Sequence, residues 1–373
     1  MRYYSVLLLF GLLLITSCKG GKPEKVTTPW GTVIDSVELS EDFDLNEILS
    51  SGELIMATVS GPSTYYDYRG RQLGTQYMLC QRFAAKLGVG LRVEVCRDSA
   101  EIAEKLDSGL VDIAAWSTPG SLQVSRSKPL LSSELDEWYR PSMIDDVKKE
   151  QEFLLSARSV KRRAFSPMLD KKGGIISKYD EWFIQYSRPI HWDWRLMAAQ
   201  CYQESTFDPE ATSWAGAKGL MQIMPGTADH LGLPRGQMYD PEQNIAAASR
   251  YLAELERAFS DIADRNERIN FVLASYNGGS HHVRDAMSLC RRDGRNQHRW
   301  RDVVAYVLKL SDPEYYADPI VKYGYMRGSE TVDYVEKIRQ RHRGYMGVKT
   351  PHVGYQPQRH PRKAVERKKR YNV

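Results

Sequence analysis

The chain has 373 residues, 42% apolar and 27% charged, ordinary proportions for a globular protein and a length that suits two compact domains. Its formal charge of +5 is concentrated at one end, since residues 341–373 carry ten Lys or Arg against one acid, Glu366. The remainder is mildly acidic, which excludes a basic nucleic-acid-binding body, and no nucleic acid is expected as a partner.

The chain opens MRYYSVLLLFGLLLITSC. The apolar run from Val6 to Ile15 is too short to span a bilayer comfortably and reads as a signal peptide over residues 1–17. Its ending, Ile15-Thr16-Ser17-Cys18, resembles the bacterial lipobox, whose cysteine is lipidated and becomes the first residue. That resemblance implies a lipid anchor on Cys18, which attaches a protein to a membrane without spanning it. Lys19 in place of an acid implies the outer membrane of a Gram-negative cell, with the protein facing the periplasm. Residues 18–45 are polar, with Gly, Lys, Pro and Thr, and read as a linker.

Cys80, Cys96, Cys201 and Cys290 are too scattered for a disulfide framework. Cys80 and Cys96 are near enough in sequence for a local bridge, and buried free thiols are the alternative. No His/Cys group has zinc-site spacing, His281 and His282 being adjacent, and no metal or organic cofactor is expected.

From Gly52 the pattern alternates strand and helix. Residues 53–59 read as a strand, 65–74 as a turn region and 77–88 as a helix stopped by Gly88. Residues 91–95 read as a strand, 99–108 as a helix and 111–115 as a third strand. That order predicts an α/β unit with a parallel sheet. The run GELIMATVSGPSTYYDYRGRQLGTQYMLCQRFAAKLGVGLRVEV, with EKLDSGLVDIAA after it, is similar to the first lobe of family 3 bacterial solute-binding proteins. The resemblance implies a partial periplasmic-binding-protein-like lobe. Two departures bear on ligand binding: Thr118-Pro119-Gly120-Ser121 stands where the family carries a ligand-holding arginine, and a second lobe is largely missing. A cleft needs two walls, so amino-acid binding in the family's manner is not expected, and a muropeptide or a protein partner remains an open alternative. Leu131 to Arg163 carries alternating charges and reads as an exposed helical connection.

Residues 165–186 read as a helix broken at Gly173-Gly174, leading into a mainly helical domain. Asp193 is a candidate N-cap for the apolar helix Trp194, Leu196, Met197, Ala198, Ala199 and Cys201, which ends on Glu204. A carboxyl on a buried helix tends to stay protonated, which is what a general acid needs. Further helices are expected over 241–259, 266–276, 302–310 and 331–339, with Asn277-Gly278-Gly279 as a stop. The expected organisation is residues 46–165 as the α/β domain with its connection, 166–340 as the helical domain and 341–373 as a basic, disordered tail.

Four stretches of the helical domain match, in order, the motifs of the lysozyme-like lytic murein transglycosylases of the soluble lytic transglycosylase family. They are Gln203-Glu204-Ser205, Gly219-Leu220-Met221-Gln222-Ile223-Met224-Pro225, Ala274-Ser275-Tyr276-Asn277-Gly278-Gly279 and Glu330 to Ile338. Together with the lobe and the lipobox they resemble the membrane-bound type F. The resemblance implies a mainly α, lysozyme-like domain that cleaves the β-1,4 bond between N-acetylmuramic acid and N-acetylglucosamine in peptidoglycan. Glu204 would be the catalytic acid and, once deprotonated, the base that lets the sugar's own C6 hydroxyl close a 1,6-anhydro end. Ser205 would bond near the acid or substrate, and Gly219 would allow close backbone approach. Met221 and Gln222 would line the cleft, Tyr276 and Asn277 would face Glu204 across it, and the Tyr334 hydroxyl would point into it. Asp208, the nearest acid in sequence, reads as a turn residue, so no second carboxylate is expected beside Glu204. A hydrolysing muramidase on the same scaffold and a non-catalytic wall- or solute-binding lipoprotein are the alternatives.

Overall fold

The computed structural model describes residues 44–116 and 122–348 together with two short paired strands, β1 (Val26–Thr27) and β2 (Val33–Ile34). Cys18, the signal peptide, most of the linker, residues 117–121 and 349–373 lie outside the described residues.

The first unit starts at α1 (Leu45–Ser51), whose N-cap Asp44 forms a capping box with Glu47. The chain then runs through β3 (Glu53–Val59), β4 (Tyr66–Tyr68), β5 (Arg71–Leu73), α2 (Thr75–Leu87), β6 (Gly90–Cys96), α3 (Ser99–Asp107), β7 (Ile113–Ala115) and β8 (Leu122–Val124). The sheet order is β6-β3-β7-β8. β3 is parallel to β6 and β7, and β8 closes one edge antiparallel to β7. The α/β unit with a parallel sheet is therefore present. Residues 65–74 differ from the expected turn region, because β4 and β5 form a hairpin.

The charged stretch after residue 130 is not a bare connection. It forms α4 (Pro129–Trp138) and α5 (Ser142–Leu155), which bury Leu131, Leu135 and Val147 in the same core as Phe83. Asp44 accepts from the backbone N–H of Leu130 and Leu131 as well, tying α4 to α1. The helical unit begins earlier than residue 166, since Lys161 already pairs with Thr212 through both backbone bonds.

The second unit comprises α6 (Asp180–Ser187), α7 (Trp194–Ser205), α8 (Pro225–His230), α9 (Pro241–Ala258), α10 (Arg265–Gly278), α11 (Ser280–Arg292), α12 (Trp300–Lys309), α13 (Pro313–Tyr316) and α14 (Gly328–Tyr345). These helices share one apolar core that includes Met197, Leu252, Phe271, Leu289, Val307 and Ile338. Two expectations are corrected. The helix over 165–186 is only α6, because Gly174 turns the chain at φ 70° and Asp170 pairs with Ile175 across that turn. The tail does not begin at residue 341: α14 continues to Tyr345, and Tyr345 and Val348 are buried. Arg195 Nη1 donates to the carbonyls of Met346 and Val348, so residues 341–348 belong to the folded body. The four cysteines Cys80, Cys96, Cys201 and Cys290 are buried and free. Among the described residues no helix is long and apolar enough to cross a membrane.

Candidate active site

Helix α7 is started by Asp193, whose carboxylate accepts from the Arg195 N–H at 3.0 Å. Its apolar face fills the core, and its last turn delivers Glu204, 9% exposed, to the floor of a cavity of about 520 Å³. The walls come from α10 (Tyr276, Asn277), the turn before α8 (Gln222, Met224) and the β4–β5 hairpin (Asp67, Arg69). That volume lies in the usual range of small-molecule binding sites.

The Glu204 carboxyl is pushed above the usual range by burial. Opposing that shift are the Arg69 guanidinium, the Tyr334 hydroxyl and Arg162, while Glu330 reinforces it. Tyr334 on α14 donates its O–H to Glu204 Oε1, and Gln200 Nε2 donates to the Tyr334 oxygen at 3.2 Å. Arg162 Nη1 holds the Glu204 backbone carbonyl at 3.1 Å, fixing the end of α7.

Tyr276 donates its hydroxyl to the Met221 carbonyl at 2.8 Å, and its ring packs on Tyr251 with centroids 5.3 Å apart. Asn277 Oδ1 accepts from the Thr331 hydroxyl at 2.8 Å, which leaves its amide N–H groups as the side chain's remaining donors, and the residue lines the cavity. Gln222 sits at φ 48° in a tight turn. Both of its amide hydrogens are engaged, by the carbonyls of Ala211 at 3.1 Å and Gly219 at 2.9 Å. It therefore offers the cavity an acceptor only, and not the donor as well that its residue type allows.

Four expected residues do not line the cavity, the first being Tyr334, which is buried and meets the site only through its bond to Glu204. The Ser205 hydroxyl is fully buried and bonds back to the Cys201 carbonyl at 3.2 Å, one turn earlier in α7. The Met221 side chain is fully buried in the core, and its backbone carries the contacts, including the N–H donated to Asn244 Oδ1 at 2.7 Å. Gly219 has φ 79°, and a Cβ there would stand 2.4 Å from the Met238 carbonyl oxygen. Its close approach is to the protein's own backbone.

Sequence spacing missed Arg69 and the placement of Glu330. Glu330 accepts from Arg69 Nη2 at 2.8 Å and from the Tyr68 hydroxyl at 2.8 Å, with Arg327 Nη1 at 3.7 Å. A second carboxylate thus stands near Glu204 after all, already surrounded by donors. Asp208 fits the turn reading: although burial works against it, hydrogen bonds from Arg163 and Glu210 hold its carboxyl below the usual range. His281, His282 and Tyr323 form one end of the cavity, with the His281 and Tyr323 rings stacked at 4.4 Å.

Residues 181–298 match the family described as Transglycosylase SLT domain. A membrane-bound lytic murein transglycosylase F of Desulfosudis oleivorans is 47% identical over 146 residues, covering 39% of this chain and 31% of that protein. The protein of the same name from Maricaulis maris is 39% identical over 165 residues, covering 44% of this chain and 35% of that one. The chain thus spans about a third of the length of these relatives. The 70 kDa soluble lytic transglycosylase of Escherichia coli is a structural neighbour at 27% identity, covering 46% of this chain and 25% of that one, with a TM-score of 0.34.

Proposed function

We propose that this chain, which carries a Transglycosylase SLT domain over residues 181–298, is a lytic murein transglycosylase that cuts peptidoglycan strands without water. The observation that carries the proposal is the setting of Glu204: a buried carboxyl, raised by burial, on the floor of a cavity and bonded to Tyr334. In the first step the Glu204 carboxyl gives its proton to the glycosidic oxygen, and the bond from that oxygen to C1 of N-acetylmuramic acid breaks. The substrate's N-acetyl carbonyl steadies C1. In the second step the C6 hydroxyl of the same sugar attacks C1 and returns a proton to the Glu204 carboxylate, leaving a 1,6-anhydro end. An attacking group on the same ring has a large proximity advantage over free water.

The Gln222 carbonyl suits an acetamido N–H, and the Asn277 amide suits a sugar or acetyl oxygen. The periplasmic-binding-like identity of the first unit, supported by its β3–α2–β6 order, belongs to the same proposal, as do the lipid anchor on Cys18 and an outer-membrane location facing the periplasm.

The test is mass spectrometry of muropeptides released from purified sacculi. Anhydro ends are expected from the wild type, and Glu204→Gln is expected to lower release by at least about 100-fold. Products carrying added water would overturn the transglycosylase reading. The muramidase alternative has one observation in its favour, since Asp67 contributes a further carboxyl to the same cavity.

A further inference from the structure

The β4–β5 hairpin belongs to the α/β unit, yet it closes the cavity over the acid of the helical unit. Its two-residue loop is Arg69-Gly70, with φ of 52° and 71°. A tight hairpin turn of this kind favours Asn or Gly at its first position. A long cationic side chain held there carries a backbone cost that invites a reason in the side chain.

The hairpin is fixed at several points on the helical unit. The Tyr68 ring lies parallel to Trp214, with centroids 6.1 Å apart. Arg71 Nε donates to the Ala215 carbonyl at 3.1 Å, and Tyr66 packs edge-on against Tyr325 at 4.9 Å. The Tyr68 hydroxyl and Arg69 Nη2 both bond Glu330. These contacts leave the Arg69 guanidinium in the wall of the cavity whose floor is Glu204.

Resting on the transglycosylase reading, we propose that Arg69 is a positioning residue for the reaction: the α/β unit supplies the cation that steadies the Glu204 carboxylate. Both proposed steps pass through that carboxylate, which forms as the proton leaves and persists until the C6 hydroxyl returns one. A fixed positive charge at its side lowers the energy of that state, and lowers it most where water is excluded. Glu330 holds the guanidinium in place, and because its own charge opposes the Glu204 carboxylate, its engagement by Tyr68, Arg69 and Arg327 matters. The other groups facing Glu204 are Tyr334 on α14, Tyr276 on α10, Cys201 on its own helix and Arg162 from the segment before α6. Arg69 and Arg162 are the cations among them. Arg162 keeps its charge while bonding the Glu204 backbone carbonyl, but it does not line the cavity; among the described residues Arg69 is the arginine of the cavity wall.

The experiment uses the full chain and its Arg69→Met and Arg69→Lys variants, with Arg69→Gln as a second neutral form. The side chain is 28% exposed, so neutral variants should fold, which circular dichroism checks. Two readouts are taken: the pH profile of anhydro-muropeptide release, and the carbon-13 NMR titration of the Glu204 carboxyl, assigned by its loss in Glu204→Gln. Removing the cation favours the protonated acid, so the alkaline limb of kcat/KM and the NMR midpoint should both move to higher pH in the neutral variants. Arg69→Lys should bring both back toward wild type. Folded neutral variants whose midpoint coincides with that of the wild type would overturn the proposal. The NMR titration needs no turnover, so a failure of the transglycosylase reading, seen as hydrated products or none from the wild type, is distinguished from a failure of the role given to Arg69.

Discussion

Tyr334→Phe isolates one hydrogen bond of the proposed acid. The ring is 4% exposed and sits in the core beside Val335 and Ile338, so losing one oxygen leaves the packing nearly unchanged. What goes is the donor to Glu204 Oε1 and the acceptor for Gln200 Nε2. A hydrogen bond to a charged group contributes about 1.5–3 kcal/mol, against about 0.5–1.5 kcal/mol for a neutral pair. The Tyr334 hydroxyl therefore favours the carboxylate over the protonated acid by about 1–1.5 kcal/mol, which corresponds to a roughly five- to thirteen-fold fall in kcat when it is removed. Because that bond also opposes the burial that raises the Glu204 carboxyl, its loss should move the alkaline limb of kcat/KM to higher pH. The assay is initial-rate release of anhydro-muropeptides across pH, with urea unfolding in parallel. The orphaned Gln200 amide should cost about 1–3 kcal/mol of stability. A variant that loses stability but keeps kcat within twofold and leaves the limb in place would refute the catalytic part of the argument and leave Tyr334 a packing residue.

Two further outcomes test other parts of the structure. Gly219→Ala places a Cβ 2.4 Å from the Met238 carbonyl oxygen at φ 79°, and it should cost about 2–4 kcal/mol in urea unfolding; a loss under about 1 kcal/mol would show that the turn adapts. His282 is held down to about 4 from 6.5, by burial first and His281 second. Its folded value lies below the unfolded one, so stability is complete above pH 6.5 and should fall by on the order of 3 kcal/mol as pH drops toward 4, a dependence that His282→Gln should remove.

The strands β3, β6 and β7 and the helices α2 and α3 were legible because apolar runs alternate with helices and because Gly88 stops α2 in the left-handed region, whereas α1, stopped by Gly52, was not. Glu204 was legible as the polar end of an apolar helix. Its neighbours were less so, for a geometric reason. Successive residues of a helix point about 100° apart, so when Glu204 faces the cavity, Ser205 faces the core, and a motif that quotes them together hides the difference. Met221 and Gln222 divide in the same way at a turn where Gln222 has positive φ. Helix α11 escaped notice because Gly279, at φ 88°, ends α10 and leads straight into Ser280 without a loop. Arg69 and Glu330 are 261 residues apart, and nothing in local spacing reports a charge pair between two units.

That pair bears on the choice between the two enzymatic readings. A retaining or inverting hydrolase needs a second carboxylate free to attack C1 or to take a proton from water. Sequence proximity offered Asp208, which is engaged by Arg163 and the Glu210 N–H and turned away from the cavity. The structure offers Glu330, whose oxygens are engaged by Tyr68 and Arg69 with Arg327 close by. It also offers Asp67, whose Oδ1 accepts the Gly70 N–H of its own hairpin turn at 3.0 Å. Asp208 and Glu330 are thus held by donors within the protein, whereas Asp67 lines the cavity with a carboxyl that burial raises against its one turn bond. Of the two raised carboxyls that line the cavity, Glu204 is the one buried at its floor and bonded to Tyr334, and a reaction served by that group alone returns the proton to the group that gave it. The internal C6 hydroxyl allows that return, and it is on the engagement of Asp208 and Glu330, more than on the acid itself, that the preference for transglycosylation over hydrolysis rests.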